Sequence, residues 1–163
     1  MGDLVAQESL RQANAEVRVP GIKALRRTMT VSSEEHVQVE DLTKQIRDVV
    51  REFDIREGLL LVNSLHTTCA LFVNEFQAAL IEDLLTMLRR LVADKDAYKH
   101  DDPRYSDCER GNAAAHLRAA LVGRSVAVGI SDGELSLGRF QSILFAELDG
   151  PRSRDIDIQI LGT

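Results

Sequence analysis

The chain has 163 residues, 44% of them hydrophobic and 28% charged, enough for one soluble domain with a real apolar core. Aromatics are only 4%, with no tryptophan, so that core must be built from Leu, Val, Ile and Ala. A net charge of −6 argues against the basic surface of a nucleic-acid-binding protein and against adsorption to anionic membranes, so neither kind of partner is expected.

Residues 1–14 are polar and aperiodic, and are read as an N-terminal extension to a single domain over 15–163. They show no basic segment followed by an apolar run, and no stretch reaches the roughly 18 apolar residues of a membrane span. Val17, Val19, Ile22, Leu25, Met29 and Val31 predict a strand pair or one long bent strand, broken at Pro20–Gly21. From Asp41 to Phe53, Leu42, Ile46, Val49, Val50 and Phe53 fall on one helical face, with Asp41 as N-cap and Gly58 shortly past the end.

Leu59 to Glu75 reads as two apolar strands joined by a polar break. His66, Thr67 and Thr68 sit at the break, and Asn74 and Glu75 close the second strand. Strand ends are where a rigid scaffold presents chemistry, though the same residues would serve an ordinary turn. A second helix over 78–92 has an apolar stripe of Ile81, Leu84, Leu85, Leu88, Leu91 and Val92, read as core packing. Residues 94–111 form a polar loop, long for a compact domain, containing His100. A short helix over 112–121 follows, with Asn112 as N-cap, Gly123 as stop and His116 inside.

The rest is strands: Ser125–Ile130, the alternating Leu135 and Leu137, an apolar run from Phe140 to Leu148, and a last strand after the Asp149–Gly150–Pro151 turn. In that last strand Ile156, Ile158 and Ile160 point inward, and Asp155, Asp157 and Gln159 outward. Strands outnumber helices without alternating with them, so the class is α+β with mainly antiparallel pairing.

Of the four histidines, His36 follows two glutamates and reads as a solvated residue. His66, His100 and His116 come from three separate elements. They either converge on a catalytic zinc, which accepts three histidines and an open position, or are unrelated. Glu75, Asp101, Asp102, Glu147 and Asp149 are the carboxylates that could orient a ligand or act as general base. Arg118, Arg124, Arg139, Arg152 and Arg154 suit phosphate capture or surface ion pairs. Cys69, in an apolar run, reads as packed rather than nucleophilic. With Cys108 it is expected to be a free thiol in a reducing compartment, the cytoplasm.

HTTCALFVNE at 66–75, YKH at 98–100, NAAAHLRAALVGRS at 112–125 and DGELSLGRFQSILFAELDGPR at 132–152, in this order, resemble the YjbQ-like family, over about residues 20 to 163. The resemblance implies two β-sheets in a sandwich flanked by two or three helices, assembled as a homotrimer. It also implies secondary thiamine-phosphate synthase activity, which joins a hydroxymethylpyrimidine diphosphate to a thiazole phosphate. A divalent metal, zinc with magnesium as the alternative, is implied at His66, His100 and His116. Asn74, Glu75 and Glu147 would then be catalytic, and Thr67, Thr68, Asn112, Gln141 and Arg152 would bind a small, phosphorylated substrate. Two further readings stay open: a zinc-dependent hydrolase using Glu75 or Glu147 as base, and a non-enzymatic metal-binding trimer. The chain departs from the family pattern at Phe140, where tryptophan is usual, at Arg139, and at Phe76–Ala79, where an Asp–Pro pair is common.

Overall fold

The structure, a computed structural model, describes residues 21–163. The 1–14 extension and the contribution of Val17, Val19 and Pro20 to the first strand lie outside the described residues.

Strand β1 (Lys23–Ser32) is followed by a short β2 (Gln38–Asp41), helix α1 (Thr43–Glu52), β3 (Gly58–Ser64) and β4 (Cys69–Asn74). Helix α2 (Ala78–Leu91), a 3-10 turn (Lys99–Asp101) and helix α3 (Ala113–Val122) come next, then β5 (Ser125–Ser131), β6 (Glu134–Leu135), β7 (Ser142–Glu147) and β8 (Ser153–Gly162). Pairing is antiparallel throughout, in a five-stranded sheet ordered β1-β8-β3-β5-β6 and a three-stranded sheet ordered β2-β7-β4.

The two sheets face each other, as expected for an α+β sandwich. Ile156, Ile158 and Ile160 on β8 register against Ser64, Val62 and Leu60 on β3 and point into the core. Leu71, Ile143 and Phe145 meet them from the three-stranded sheet, and α1 adds Ile46, Val49 and Val50. Each fully buried isoleucine or leucine contributes roughly 1.5–3 kcal/mol of transfer free energy. The opposite face of the three-stranded sheet receives α3, where Ala115 and Ala119 pack on Ala70, Ala146 and Leu148. Alanine both favours helix and lets the helix axis lie close to the sheet. That close seat brings His116 on α3 toward the β3–β4 connection.

Three sequence expectations need correction, and two, at Asn112 and Asp157, hold in position but differ in their contacts. Asp41 ends β2, one residue before the cap position at Leu42. Its Oδ1 still accepts the Thr43 N–H at 2.8 Å, and its Oδ2 the Ser142 hydroxyl at 2.8 Å. Asn112 caps α3 without a side-chain bond, the Ala113 N–H going instead to Asp101 Oδ1 at 2.9 Å. Phe140 does not join the apolar strand; it is exposed in a turn closed by the Gln141 N–H to the Gly138 carbonyl. Asp157, on the outer face of the five-stranded sheet, is buried because Arg26 and Gln159 lie over it and donate to its carboxylate at 2.6 and 2.8 Å. The α2 stripe is not core: only Leu88 is buried, and Met87 and Leu91 are exposed.

Candidate functional site

The β3–β4 connection turns sharply because Ser64 Oγ takes the His66 N–H at 3.2 Å. This throws the His66 ring across to β8, where its Nε2 accepts the Asp155 N–H at 2.9 Å. Across the same opening, His100 on the 3-10 turn and His116 on α3 stack edge to face, with ring centroids 4.9 Å apart and planes at 87°. The three histidines line one cavity of about 360 Å³, together with Thr67, Thr68, Asn112 and three residues of other elements: Arg110, Asp149 and Arg154. The three side chains thus border one cavity. A neighbouring hollow is lined by His66, Thr67, His116 and Arg124.

The floor is a buried ion pair. Arg154 Nε meets Glu147 Oε2 at 2.5 Å, and Nη2 meets Oε1 at 2.8 Å and Thr68 Oγ1 at 2.9 Å. Glu147 Oε1 also accepts the N–H groups of Leu148 and Asp149 at 3.0 and 2.8 Å. The Glu147 hydrogen bond raises the Arg154 pKa against the opposing effect of burial. Glu147 is wholly buried with both oxygens hydrogen-bonded, so it braces the turn under the site. Thr68 is buried with it, bonded to Arg154, whereas Thr67 is exposed at the rim.

Asp149 is held by Asn112 Nδ2 at 2.9 Å, with Arg152 Nε at 3.6 Å and Arg110 Nη1 at 3.9 Å. Arg152 also donates from Nε to the Asp149 carbonyl at 2.9 Å, so it ties the turn and does not line the cavity. Gly150 is obligatory in that turn: a Cβ there would lie 2.3 Å from the Glu35 carbonyl oxygen and 2.8 Å from Glu147 Cγ.

Asn74, Glu75 and Gln141 stand apart. Thr68 and Asn74 are at opposite ends of β4, which at about 3.3 Å per residue separates them by roughly 20 Å. Asn74 Oδ1 accepts the Glu75 N–H at 2.9 Å, and Gln141 Oε1 the Gly138 N–H at 2.7 Å, both local turn contacts. Arg110 and Cys108 line the cavity without having been singled out as site residues by sequence. The only signal was the unusual length of their loop.

In a neutral imidazole one nitrogen is N–H and the other a lone pair. The His66 lone pair is already used on the Asp155 N–H, which leaves its proton on Nδ1. Among the described residues no three His, Cys, Asp or Glu side chains stand at ligating distance of one ion. The histidines as placed do not fit a three-nitrogen metal site. Both cysteines are free. Cys69 is buried against Ser64 Oγ at 2.9 Å, and burial pushes its thiol pKa up. Among the described residues no helix is long and apolar enough to cross a membrane.

Fold and site together define a small two-sheet α+β protein with a histidine- and arginine-lined pocket between α3 and the strand ends. The model of the UPF0047 protein YjbQ-like family matches residues 27–163, and the chain belongs to that family. A UPF0047 protein of Archaeoglobus fulgidus is 41% identical over 133 residues, 82% of this chain and 98% of its own length. YugU of Bacillus subtilis is 31% identical over 83% of this chain and 98% of its own. Among solved structures, a YbjQ-like protein of unknown function from Sulfolobus solfataricus P2 superposes with a TM-score of 0.80 at 32% identity, covering 87% of this chain and 99% of that one.

Proposed function

We propose that the chain is an enzyme acting on a small phosphorylated substrate in the three-histidine pocket, working as a homotrimer. The observation that carries this is the convergence of His66, His100 and His116 from separate elements on one cavity that also holds Arg110 and Arg154. A cavity of that size suits a small ligand, and imidazole and guanidinium N–H groups suit phosphate oxygens.

The reaction favoured by the family resemblance is thiamine-phosphate synthesis. The thiazole nitrogen gives its electron pair to the methylene carbon of the pyrimidine. The carbon–oxygen bond to diphosphate breaks, and diphosphate leaves with that pair. Arg110 supplies positive charge and the His100 and His116 rings supply N–H hydrogen bonds to the departing group, while buried Arg154 and Thr68 hold the floor rigid. The hydrolase and metal-storage readings both require the three-nitrogen ligand set that the His66–Asp155 hydrogen bond disrupts.

Assembly is supported by apolar surface that one copy leaves open. Met87 and Leu91 on α2 and Leu59, Leu61 and Leu161 on the outer sheet face are exposed, as expected for faces covered by other copies. The test is product formation from the two phosphorylated precursors by the purified chain. Turnover is expected to fall about 100-fold or more in His100→Ala and His116→Ala, the range for a lost hydrogen-bond donor to developing charge. Absence of product and of pyrophosphate release with wild type would overturn the reading. A monomer in sedimentation at micromolar concentration would overturn the trimer.

A further inference from the structure

Behind the histidine pocket lies a second cavity of about 370 Å³, between the end of α2 and the start of α3. The two cavities share one wall, Arg110, Asn112 and Asp149. The second holds no histidine of the first site. Its walls carry four permanent cations, Arg89, Lys95, Arg110 and Arg118, against two carboxylates, Asp94 and Asp149. The local balance is thus +2 in a chain whose net charge is −6. A positive concavity in an acidic protein focuses field and concentrates anions.

Arg118 is the best-placed cation. Its side chain is 5% exposed, its Nε and Nη2 donate to the Val92 carbonyl at 3.2 and 2.6 Å, and Nη2 reaches Asp94 Oδ1 at 2.7 Å. Its Nη1 has no hydrogen bond among the described residues, yet it is not sealed off. The one fully buried side-chain nitrogen or oxygen without a partner among the described residues is Arg47 Nε. The guanidinium is therefore fixed by two of its nitrogens and keeps the third for a ligand.

The first turn of α3 adds to this. The Ala113 N–H is taken by Asp101 and the Ala115 N–H by the Asn112 carbonyl, while the Ala114 N–H has no partner among the described residues. Both Ala114 and Ala115 face the cavity. A helix N-terminus with a free N–H favours an anion.

We propose that this cleft is a second anion site, one that takes the phosphate or diphosphate group of a small molecule on Arg118 Nη1, Arg89, Lys95 and the first turn of α3. It stands whether or not the histidine pocket performs the reaction proposed above. If that reaction holds, two phosphate-bearing molecules lie back to back across the Arg110–Asn112–Asp149 wall.

The test is calorimetric titration of the full chain with inorganic phosphate and, separately, inorganic pyrophosphate at low ionic strength. The double variant R89Q/K95Q, exposed and outside the catalytic set, is expected to weaken pyrophosphate binding about tenfold or more, the factor for one lost charge-assisted contact. His116→Asn is expected to leave the part of pyrophosphate binding that depends on Arg89 and Lys95 unchanged, whatever it does to binding in the histidine pocket. R118Q is expected to abolish it, with a thermal melt confirming that this variant is folded. No saturable binding, unchanged affinity in R89Q/K95Q, or equal loss in His116→Asn would overturn the second site. The last result places the anion among the histidines. Loss of turnover with pyrophosphate binding intact defeats only the proposed reaction.

Discussion

Replacing Glu147 separates a structural brace from a catalytic base. In Glu147→Ala the Arg154 charge stays buried without its partner, a change that costs about 3–5 kcal/mol. The Leu148 and Asp149 N–H groups lose their common acceptor as well. A value near the top of that range is expected, about 4–5 kcal/mol of a total that for such domains is about 5–15 kcal/mol. At about 2–4 °C per kcal/mol this lowers Tm by roughly 10–20 °C. Glu147→Gln keeps an acceptor for the two N–H groups but offers Arg154 a neutral partner, so it should fall between alanine and wild type. The pair E147L/R154M removes both charges at similar volume. It should recover part of the loss, short of wild type by the two unpaired N–H groups. Urea unfolding followed by circular dichroism at neutral pH gives all four stabilities. A Glu147→Gln protein within about 0.5 kcal/mol of wild type, but inactive, would refute the brace and restore the carboxylate as base.

Three further outcomes follow from the same geometry. His66→Ala frees the Asp155 N–H and should cost about 1 kcal/mol in urea unfolding even with a chelator present; unchanged stability would mean that the ring does not anchor β8. Burial alone would raise the Asp157 carboxyl, but hydrogen bonds from Arg26 and Gln159 outweigh it and hold the pKa below the usual value; Thr43 and Ser142 likewise outweigh burial at Asp41. Because these folded-state pKa values are depressed, the stability they add is full above the unfolded value of about 3.9 and is lost as pH falls through the folded values. D157N should therefore flatten the fall of the urea midpoint between about pH 5 and 2, and a slope equal to wild type would refute the assignment. For the cysteines, one thiol, Cys108, should react with a disulfide reagent in the native protein, and Cys69 only after unfolding. Two fast thiols would show that Cys69 is not sealed.

The elements that sequence located well are those whose register is local. Ile156, Ile158 and Ile160 alternate because a strand repeats every two residues, and Ile46, Val49 and Val50 recur because a helix turns every 3.6. What sequence left open depended on contacts between distant segments. Asp157 is covered because Arg26 of β1 lies beside it, 131 residues away in sequence. Glu147 looked like a candidate base, but it pairs with Gln38 on one side and Cys69 on the other, in the middle strand of its sheet. Asn74 and Glu75 are close to His66 in sequence, yet a straight β4 carries them to its far end. The amphipathic stripe of α2 says that something covers it, not that this chain does. The convergence of His66, His100 and His116 was implied by the family motifs and could not be computed from their spacing.

The site is thus made of two parts with different physical tasks. Its floor, Thr68, Glu147 and Arg154, lies on strand ends and is buried, so changes there should show first as lost stability. Its rim, His100, Arg110 and Thr67, is exposed on loops and short turns, and stability depends little on it. His116 and Asn112 join the two, because α3 is seated on the alanine face of the three-stranded sheet while its first turn borders both cavities. A bulkier residue at Ala115 or Ala119 would lift α3 off Ala70 and Ala146, moving His116 and the Ala114 N–H together. Both cavities should therefore lose their ligands in Ala119→Leu, although neither is lined by a charged group that has changed. Loss at only one cavity would show that α3 does not set the two sites jointly.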